Sequence, residues 1–132
     1  VAGRAIGMIL ELKVEGIGNE ACAIVKRTGF PGPLIYASFL MPELQRVRQT
    51  DPDAKIMVLQ HRRLPPDPVA DVVALDASHV GLHFSTVTPM LLQTYHNLGR
   101  QVFVYTVNES QDIQRMRNLG VDGIISDFPD RI

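Results

Sequence analysis

Short apolar runs alternate with helical stretches along the chain, and this alternation constrains the fold more than any other feature of the sequence. Strands separated by helices of a dozen residues or fewer are typical of repeated βαβ units, which form a parallel sheet with right-handed crossovers. The pattern predicts strands at residues 6–14, 34–39, 55–60, 79–84, 101–107 and 121–126. It predicts helices at residues 17–28, 41–50, 68–75, 88–98 and 109–119.

Capping signals are clearest in the last two units of this pattern. Thr88 and Pro89 predict the start of a helix that ends before Gly99. Asn108 is the predicted N-cap of the following helix, which ends before Gly120. The 21-residue spacing of the two glycines corresponds to one βα unit.

A parallel sheet of this kind can be open and doubly wound, or closed as a barrel. A doubly wound nucleotide-binding sheet normally has a glycine-rich phosphate turn after its first strand, but here only Gly16 and Gly18 of that pattern are present. Polar residues follow the ends of the predicted strands instead, which is typical of the functional rim of a barrel. They are Glu11, Lys13, Ser38, Gln60, His61, Thr106, Asn108, Ser126 and Asp127. The sequence therefore favours a barrel.

Composition and charge exclude several classes of function. The 132 residues, 45% hydrophobic and 20% charged, are the size and composition of one globular domain. A net charge of −1 argues against an electrostatic nucleic-acid or membrane-surface role. No apolar run reaches the roughly 18 to 20 residues that a membrane span needs. Cys22 is the only cysteine, so no disulfide framework is expected.

Two opposite charges, Glu11 and Lys13, interrupt the first predicted strand. Side chains alternate across a strand, so these two share a face with Ile9, while Leu10 and Leu12 share the other face. On an edge strand the charged face would be wet or would carry an internal salt bridge. In a closed barrel it would point inward, where charges are retained mainly for chemistry.

The histidines suggest one further candidate for binding. His79 and His83 share a strand face but lie about 13 Å apart at roughly 3.3 Å per residue, too far to chelate one ion directly. His61 is followed by two arginines, 62–63, at the end of a strand. Such a cluster of donors could bind a phosphate, or it could be a solvated loop.

Four segments in order, LELK at 10–13, ASF at 37–39, VFVYTVN at 102–108 and VDGIISDFPD at 121–130, resemble the glycerophosphodiester phosphodiesterase family. The resemblance covers essentially the whole chain and corresponds to the C-terminal two-thirds of that barrel, strands three to eight. It implies an α/β fold, a partial TIM (β/α) barrel of about six parallel strands with flanking helices. It also implies metal-assisted hydrolysis of a glycerophosphodiester to glycerol 3-phosphate and an alcohol.

The same resemblance implies roles for individual residues. Glu11 corresponds to a ligand of a divalent cation, Mg²⁺ or Ca²⁺, and Lys13 to a contact with the substrate phosphate. Tyr105 stands where the family usually has a tryptophan near the glycerol end of the substrate. His61 is the further candidate for substrate binding, and Asp127 either contributes to the metal site or forms a turn or helix cap. No catalytic residue is assigned, because the family's histidine-bearing first two strands have no counterpart before Glu11.

These observations lead to a set of expectations for the chain. Residues 1–132 form a single incomplete barrel domain of a phosphoric diester hydrolase of lipid metabolism, truncated, with the activity of the chain alone left open. The alternative is a non-catalytic half-barrel module that binds a phosphate-bearing ligand or dimerises. Because six strands would leave two unpaired edges, the chain is expected to form a homodimer or to be one piece of a longer protein. No nucleic acid or membrane span is expected, and cytoplasm is the favoured location.

Overall fold

The computed structural model describes residues 7–132 and shows strands and helices alternating along them. The strands are β1 (Met8–Glu11), β2 (Leu34–Ser38), β3 (Lys55–Leu59), β4 (His79–His83), β5 (Gln101–Tyr105) and β6 (Gly123–Ile124). The helices are α1 (Gly18–Thr28), α2 (Met41–Thr50), α3 (Ala70–Ala74), α4 (Pro89–Asn97) and α5 (Ser110–Leu119). Short 3₁₀ turns follow β4 at Phe84–Thr86 and β6 at Pro129–Arg131.

The strands form one parallel sheet in the order β1-β2-β3-β4-β5-β6. A doubly wound sheet reverses its strand order at a switch point, whereas a barrel adds each new strand beside the last. The sequential order therefore confirms the predicted partial TIM barrel with flanking helices.

The observed strands are shorter than the predicted ones, most clearly at β6, where the predicted span 121–126 contracts to two residues. Hydrogen bonding to β5 continues on both sides of β6, since the Asp122 amide donates to the Val102 carbonyl and the Ile125 amide to the Val104 carbonyl, both at 2.8 Å. The first predicted strand begins at residue 6, which lies outside the described residues.

Alternate side chains of each strand separate into two layers. The outer layer packs against the helices around fully buried residues such as Val58, Val80, Leu82, Val102 and Val104. The inner layer consists of Ala37, Met57 and Leu59, packed against Ile35, Phe39 and Phe103. Gly81 in β4 makes room for this layer, because a Cβ there would lie 2.5 Å from Leu59 Cδ2 and 3.2 Å from Met57 Sδ.

The helix starts confirm one predicted cap and correct the other. Thr88 caps α4, with its hydroxyl accepting the Leu91 amide at 3.1 Å. The prediction that Asn108 caps α5 is wrong, since the N-cap is Glu109 and makes no side-chain hydrogen bond. The Asn108 side chain instead bonds to Ser126 and Asp127 beyond β6, a long-range interaction that competes with the local cap.

Within residues 7–132, no helix has the length and apolar character needed to cross a membrane.

Candidate functional site

A cavity of about 320 Å³ lies on the concave face of the sheet, where the strands end. Its lining residues are Ile9, Glu11, Ala37, Phe39, Met57, Leu59, Tyr105, Thr106 and Ile125. Glu11, Leu59 and Tyr105 are the last residues of β1, β3 and β5, so the cavity opens at the carboxyl ends of the strands. This is the face on which barrel enzymes carry their active sites.

Among the described residues, Glu11 contributes the only ionisable carboxylate to the lining of this cavity. Ile9 lines the cavity with it, whereas Leu10 and Leu12 pack into the outer core, as strand alternation predicts. The Glu11 side chain is exposed and lies in register with Ala37 of β2. The acidic group therefore lies on the face of the sheet that carries the cavity, opposite the face that packs against the helices, and is exposed at the end of the edge strand β1.

Lys13 lies two residues beyond Glu11, just after the end of β1, and is exposed. It is not among the residues that line the cavity, and its side chain has no hydrogen bond or ion pair within residues 7–132. The backbone before it is held firmly: the Leu12 amide donates to the Ala37 carbonyl at 2.8 Å, and the Ser38 hydroxyl donates to the Leu12 carbonyl at 2.7 Å. The Lys13 side chain is thus exposed to solvent just beyond the end of β1.

Aromatic rings form one wall of the cavity around Tyr105. The Tyr105 hydroxyl donates to the Gln60 carbonyl, and its ring meets Phe39 and His83 edge-on, with centroids at 6.0 Å and 5.7 Å. His61 stacks on Phe39 at 4.2 Å. Burial, and to a smaller extent the Glu11 charge, raises the pKa of Tyr105. Tyr105 is therefore a neutral, fixed wall at neutral pH.

A second cavity of about 240 Å³ adjoins the first and shares Phe39 and Leu59 with it. His61 and Arg63 line this second cavity, so the structure places His61 beside the Glu11 cavity and not inside it. His61 stacks on Phe39, which lines both cavities, and this contact joins the ends of β2 and β3.

Two residues at the site escaped the sequence reasoning, Phe39 and His83. Phe39 appeared only as part of a motif, although its ring joins the two cavities. The sequence places His83 only on a strand face with His79, too far from it to chelate one ion, whereas in the structure its ring lies against Tyr105. Its Nδ1 accepts the Ser85 amide at 3.2 Å, which assigns the proton of the neutral ring to Nε2. The available signal was its inward position at the last residue of β4.

Asn108 joins the ends of β5 and β6 at the same rim. Its Oδ1 accepts the Ser126 hydroxyl at 3.1 Å and the Asp127 amide at 3.0 Å, and its Nδ2 donates to the Asp127 carboxylate at 3.1 Å. The Asp127 carboxylate is thereby hydrogen-bonded to Asn108 and does not line the Glu11 cavity.

Replacing Asn108 with alanine is expected to lower the free energy of unfolding by about 1 kcal/mol, because it removes three side-chain hydrogen bonds, one to the half-buried Ser126 hydroxyl and two to the exposed Asp127. Urea unfolding followed by circular dichroism measures this change. Asn118→Ala is the matched control, since Asn118 is exposed and accepts one hydrogen bond from Gln114. Its effect should stay within about 0.5 kcal/mol. Equal losses in both variants would contradict the role of Asn108.

Within residues 7–132, no three histidine, cysteine, aspartate or glutamate side chains lie together in a group able to hold a metal ion. A hard cation such as Mg²⁺ or Ca²⁺ takes about six or more oxygen ligands. Glu11 alone is therefore not a complete metal site, and the described residues supply only one carboxylate for it.

The sequential strand order and the rim cavity define a half-barrel of the TIM class with a cavity at its carboxyl face. Residues 8–131 match the model of the Glycerophosphoryl diester phosphodiesterase family. The chain belongs to that family.

Individual relatives agree with this assignment. A glycerophosphodiester phosphodiesterase of Caldanaerobacter subterraneus subsp. tengcongensis is 28% identical over 117 residues, which are 89% of this chain and 48% of that protein. The chain spans about half the length of the curated relatives it matches.

Solved structures show the same fold. A protein of Silicibacter pomeroyi DSS-3 described within this family superimposes with a TM-score of 0.82 at 30% identity, over 93% of this chain and 47% of that one. A phosphodiesterase of Oleispira antarctica, solved with the product sn-glycerol-3-phosphate, superimposes with a TM-score of 0.84 at 24% identity, over 96% of this chain and 53% of that one.

Proposed function

We propose that residues 1–132 form a single incomplete barrel domain that carries part of a glycerophosphodiester-binding site. The single observation that supports this proposal best is the position of Glu11 and Tyr105 on opposite strands of one cavity at the carboxyl rim. Lys13 follows Glu11 at the same rim and leaves its ammonium group in solvent. A carboxylate, an ammonium and an aromatic wall are the groups that a metal-bound phosphodiester with a glycerol end requires.

Each residue has a distinct role in this proposal. Lys13 contacts the phosphate, Tyr105 packs against the glycerol end, and His61 contributes from the adjoining cavity. Members of the family are generally metal-dependent. Glu11 supplies one oxygen ligand to a divalent cation, Mg²⁺ or Ca²⁺, whose charge would polarise the phosphate, and the further ligands come from outside the described residues.

Binding and turnover by this chain test the proposal. Isothermal titration with sn-glycerol 3-phosphate, with Mg²⁺ or Ca²⁺ present, should show saturable binding. Lys13→Ala should weaken binding about tenfold, since a charge-assisted hydrogen bond contributes about 1.5–3 kcal/mol when well formed. Lys26→Ala, at an exposed lysine of α1, should leave the affinity unchanged. No binding, or equal binding by all three proteins, would overturn the proposal.

A hydrolysis assay distinguishes the hypothesis that the chain is an enzyme from the alternative that it is a non-catalytic binding module. Glycerophosphocholine and glycerophosphoethanolamine are incubated with the chain and either cation, and released glycerol 3-phosphate is measured. Metal-dependent release that is lost in Lys13→Ala supports a phosphoric diester hydrolase. Binding without release supports the non-catalytic module, because a positioned acid and base are also needed for turnover.

The open sheet edges support self-association. Within the described residues β1 pairs only with β2 and β6 only with β5, and exposed sheet edges are sites of strand pairing. Sedimentation should therefore give a homodimer of twice the 14.6 kDa chain mass. Ile9→Lys, at a residue of β1 that is 40% exposed, should favour the monomer, whereas Ile24→Lys, at a residue of α1 that is 41% exposed, should not. A monomeric mass for the unsubstituted chain would contradict this prediction.

A further inference from the structure

Glu43, in the first turn of α2, is a buried carboxylate that accepts hydrogen bonds from the loop between β1 and α1. Its side chain is 1% exposed. Its oxygens accept the amides of Gly16 at 3.0 Å, Ile17 at 3.0 Å and Gly18 at 2.9 Å. The N-cap of α1 is Ile17, whose side chain makes no capping bond. Glu43 therefore satisfies from another helix the amides that a local cap would normally bind.

The loop is shaped to receive this carboxylate. Gly16 has a φ of +85°, which favours glycine. A Cβ on Gly18 would lie 2.8 Å from the Glu43 carbonyl oxygen and 2.9 Å from Arg46 Cβ, so only glycine allows α2 to approach this closely. The hydrogen bond from the Gly16 amide, helped by those from Gly18 and Ile17 and by the Arg46 charge, lowers the pKa of Glu43 against the effect of burial. The carboxylate is ionised at neutral pH.

These bonds enclose Lys13 between two anchors. On one side the Ser38 hydroxyl holds the Leu12 carbonyl at 2.7 Å. On the other side Glu43 holds the loop from Gly16 onward, with only residues 14 and 15 between Lys13 and this anchor. Both anchors belong to the segment that runs from the end of β2 into α2. The position of the Lys13 backbone at the rim is thus determined from β2 and α2.

We propose that Glu43 is a positioning residue that holds Lys13 at the rim in the place where it meets a phosphate-bearing ligand. This inference rests on the proposed function, because it assumes that Lys13 contacts the phosphate. A purely structural role for Glu43 would change the stability of the chain but would leave the ligand affinity of the folded protein unchanged. A positioning role changes affinity, and changes it only while Lys13 is present.

A double-mutant cycle on the full chain distinguishes these roles. The affinity for sn-glycerol 3-phosphate is measured by isothermal titration for the unsubstituted chain, Glu43→Gln, Lys13→Ala and the double variant, below the unfolding midpoint of each. Glutamine keeps the size of the side chain but loses the charge that attracts the three amides. Glu15→Gln is the matched control, since it removes the same charge from the same loop and Glu15 is exposed. Amide hydrogen exchange of residues 16–18 reports the order of the loop independently of the ligand.

The expected result is about tenfold weaker binding in Glu43→Gln, no change in Glu15→Gln, and a double variant no weaker than Lys13→Ala alone. Exchange at residues 16–18 should be faster in Glu43→Gln. If Glu43→Gln does not fold, Glu43→Asp serves instead, because the shorter carboxylate keeps the charge but not the reach to all three amides. Unchanged affinity in the Glu43 variant, or losses that simply add to those of Lys13→Ala, would overturn the inference alone. If Lys13→Ala binds as the unsubstituted chain does, the proposed function fails as well.

Discussion

Replacing Glu11 with glutamine is expected to remove the gain in sn-glycerol 3-phosphate affinity that Mg²⁺ or Ca²⁺ gives the unsubstituted chain. Glutamine has nearly the same shape but lacks the negative charge that a hard cation prefers in its ligands. Glu11 is the only ionisable carboxylate that residues 7–132 place in the lining of the cavity, so none of its neighbours there can replace it. Removal of a residue that only supports a metal ligand already lowers metal affinity about 10- to 100-fold. The metal-dependent gain should therefore fall by at least that factor when the ligand itself loses its charge.

The measurement is a pair of titrations for each protein, with the cation and with a chelator. Glu15→Gln again serves as the control, because it changes the net charge equally at an exposed position close by in sequence. The unsubstituted chain and the control should bind more tightly with the cation, and Glu11→Gln should bind equally in both conditions. An undiminished metal effect in Glu11→Gln would contradict the role of Glu11 as a ligand.

Replacing Arg48 with methionine is expected to lower the free energy of unfolding by about 2–4 kcal/mol, the largest stability effect that we expect outside the apolar core. The half-buried guanidinium of Arg48 donates to four main-chain carbonyls. They are Leu75 at 3.2 Å, Pro52 at 2.8 Å, Ala54 at 2.7 Å and Asp76 at 3.1 Å. One side chain thus joins the loop before β3 to the loop before β4. Methionine keeps the apolar stem but makes none of these bonds.

Arg117→Met is the matched control for this variant. Arg117 lies in the last turn of α5, is exposed, and makes no side-chain hydrogen bond within residues 7–132. Its replacement should change stability by no more than about 0.5 kcal/mol. Urea unfolding of both variants, followed by circular dichroism, gives the comparison. A loss below 1 kcal/mol in Arg48→Met would show that water replaces these bonds at little cost.

The fold could be predicted from the sequence because its main signal is local. Each βα unit has its own apolar run, its own helix and its own turn residues, and every predicted strand and helix exists in the structure. That Glu11 shares a face with Ile9, opposite Leu10 and Leu12, also followed from alternation within a single strand. Such features need no knowledge of distant residues.

The errors and omissions concern interactions between units. Asn108 has the sequence context of a helix cap, yet its side chain bonds to residues 18 and 19 positions further along the chain. Glu43 resembles an ordinary acidic residue in the first turn of a helix, and nothing in the sequence indicates its three bonds to the preceding unit. The stacking of His61 on Phe39 depends in the same way on the neighbouring strand.

The sequential order of the strands also has a consequence for how the chain folds. Paired residues on neighbouring strands are separated by 20 to 26 positions throughout, from Met8 with Leu34 to Phe103 with Gly123. The entropy lost in closing each loop is therefore nearly the same at every step. No pairing has to wait for a much more distant segment, so assembly can begin at any adjacent pair of strands and spread in both directions.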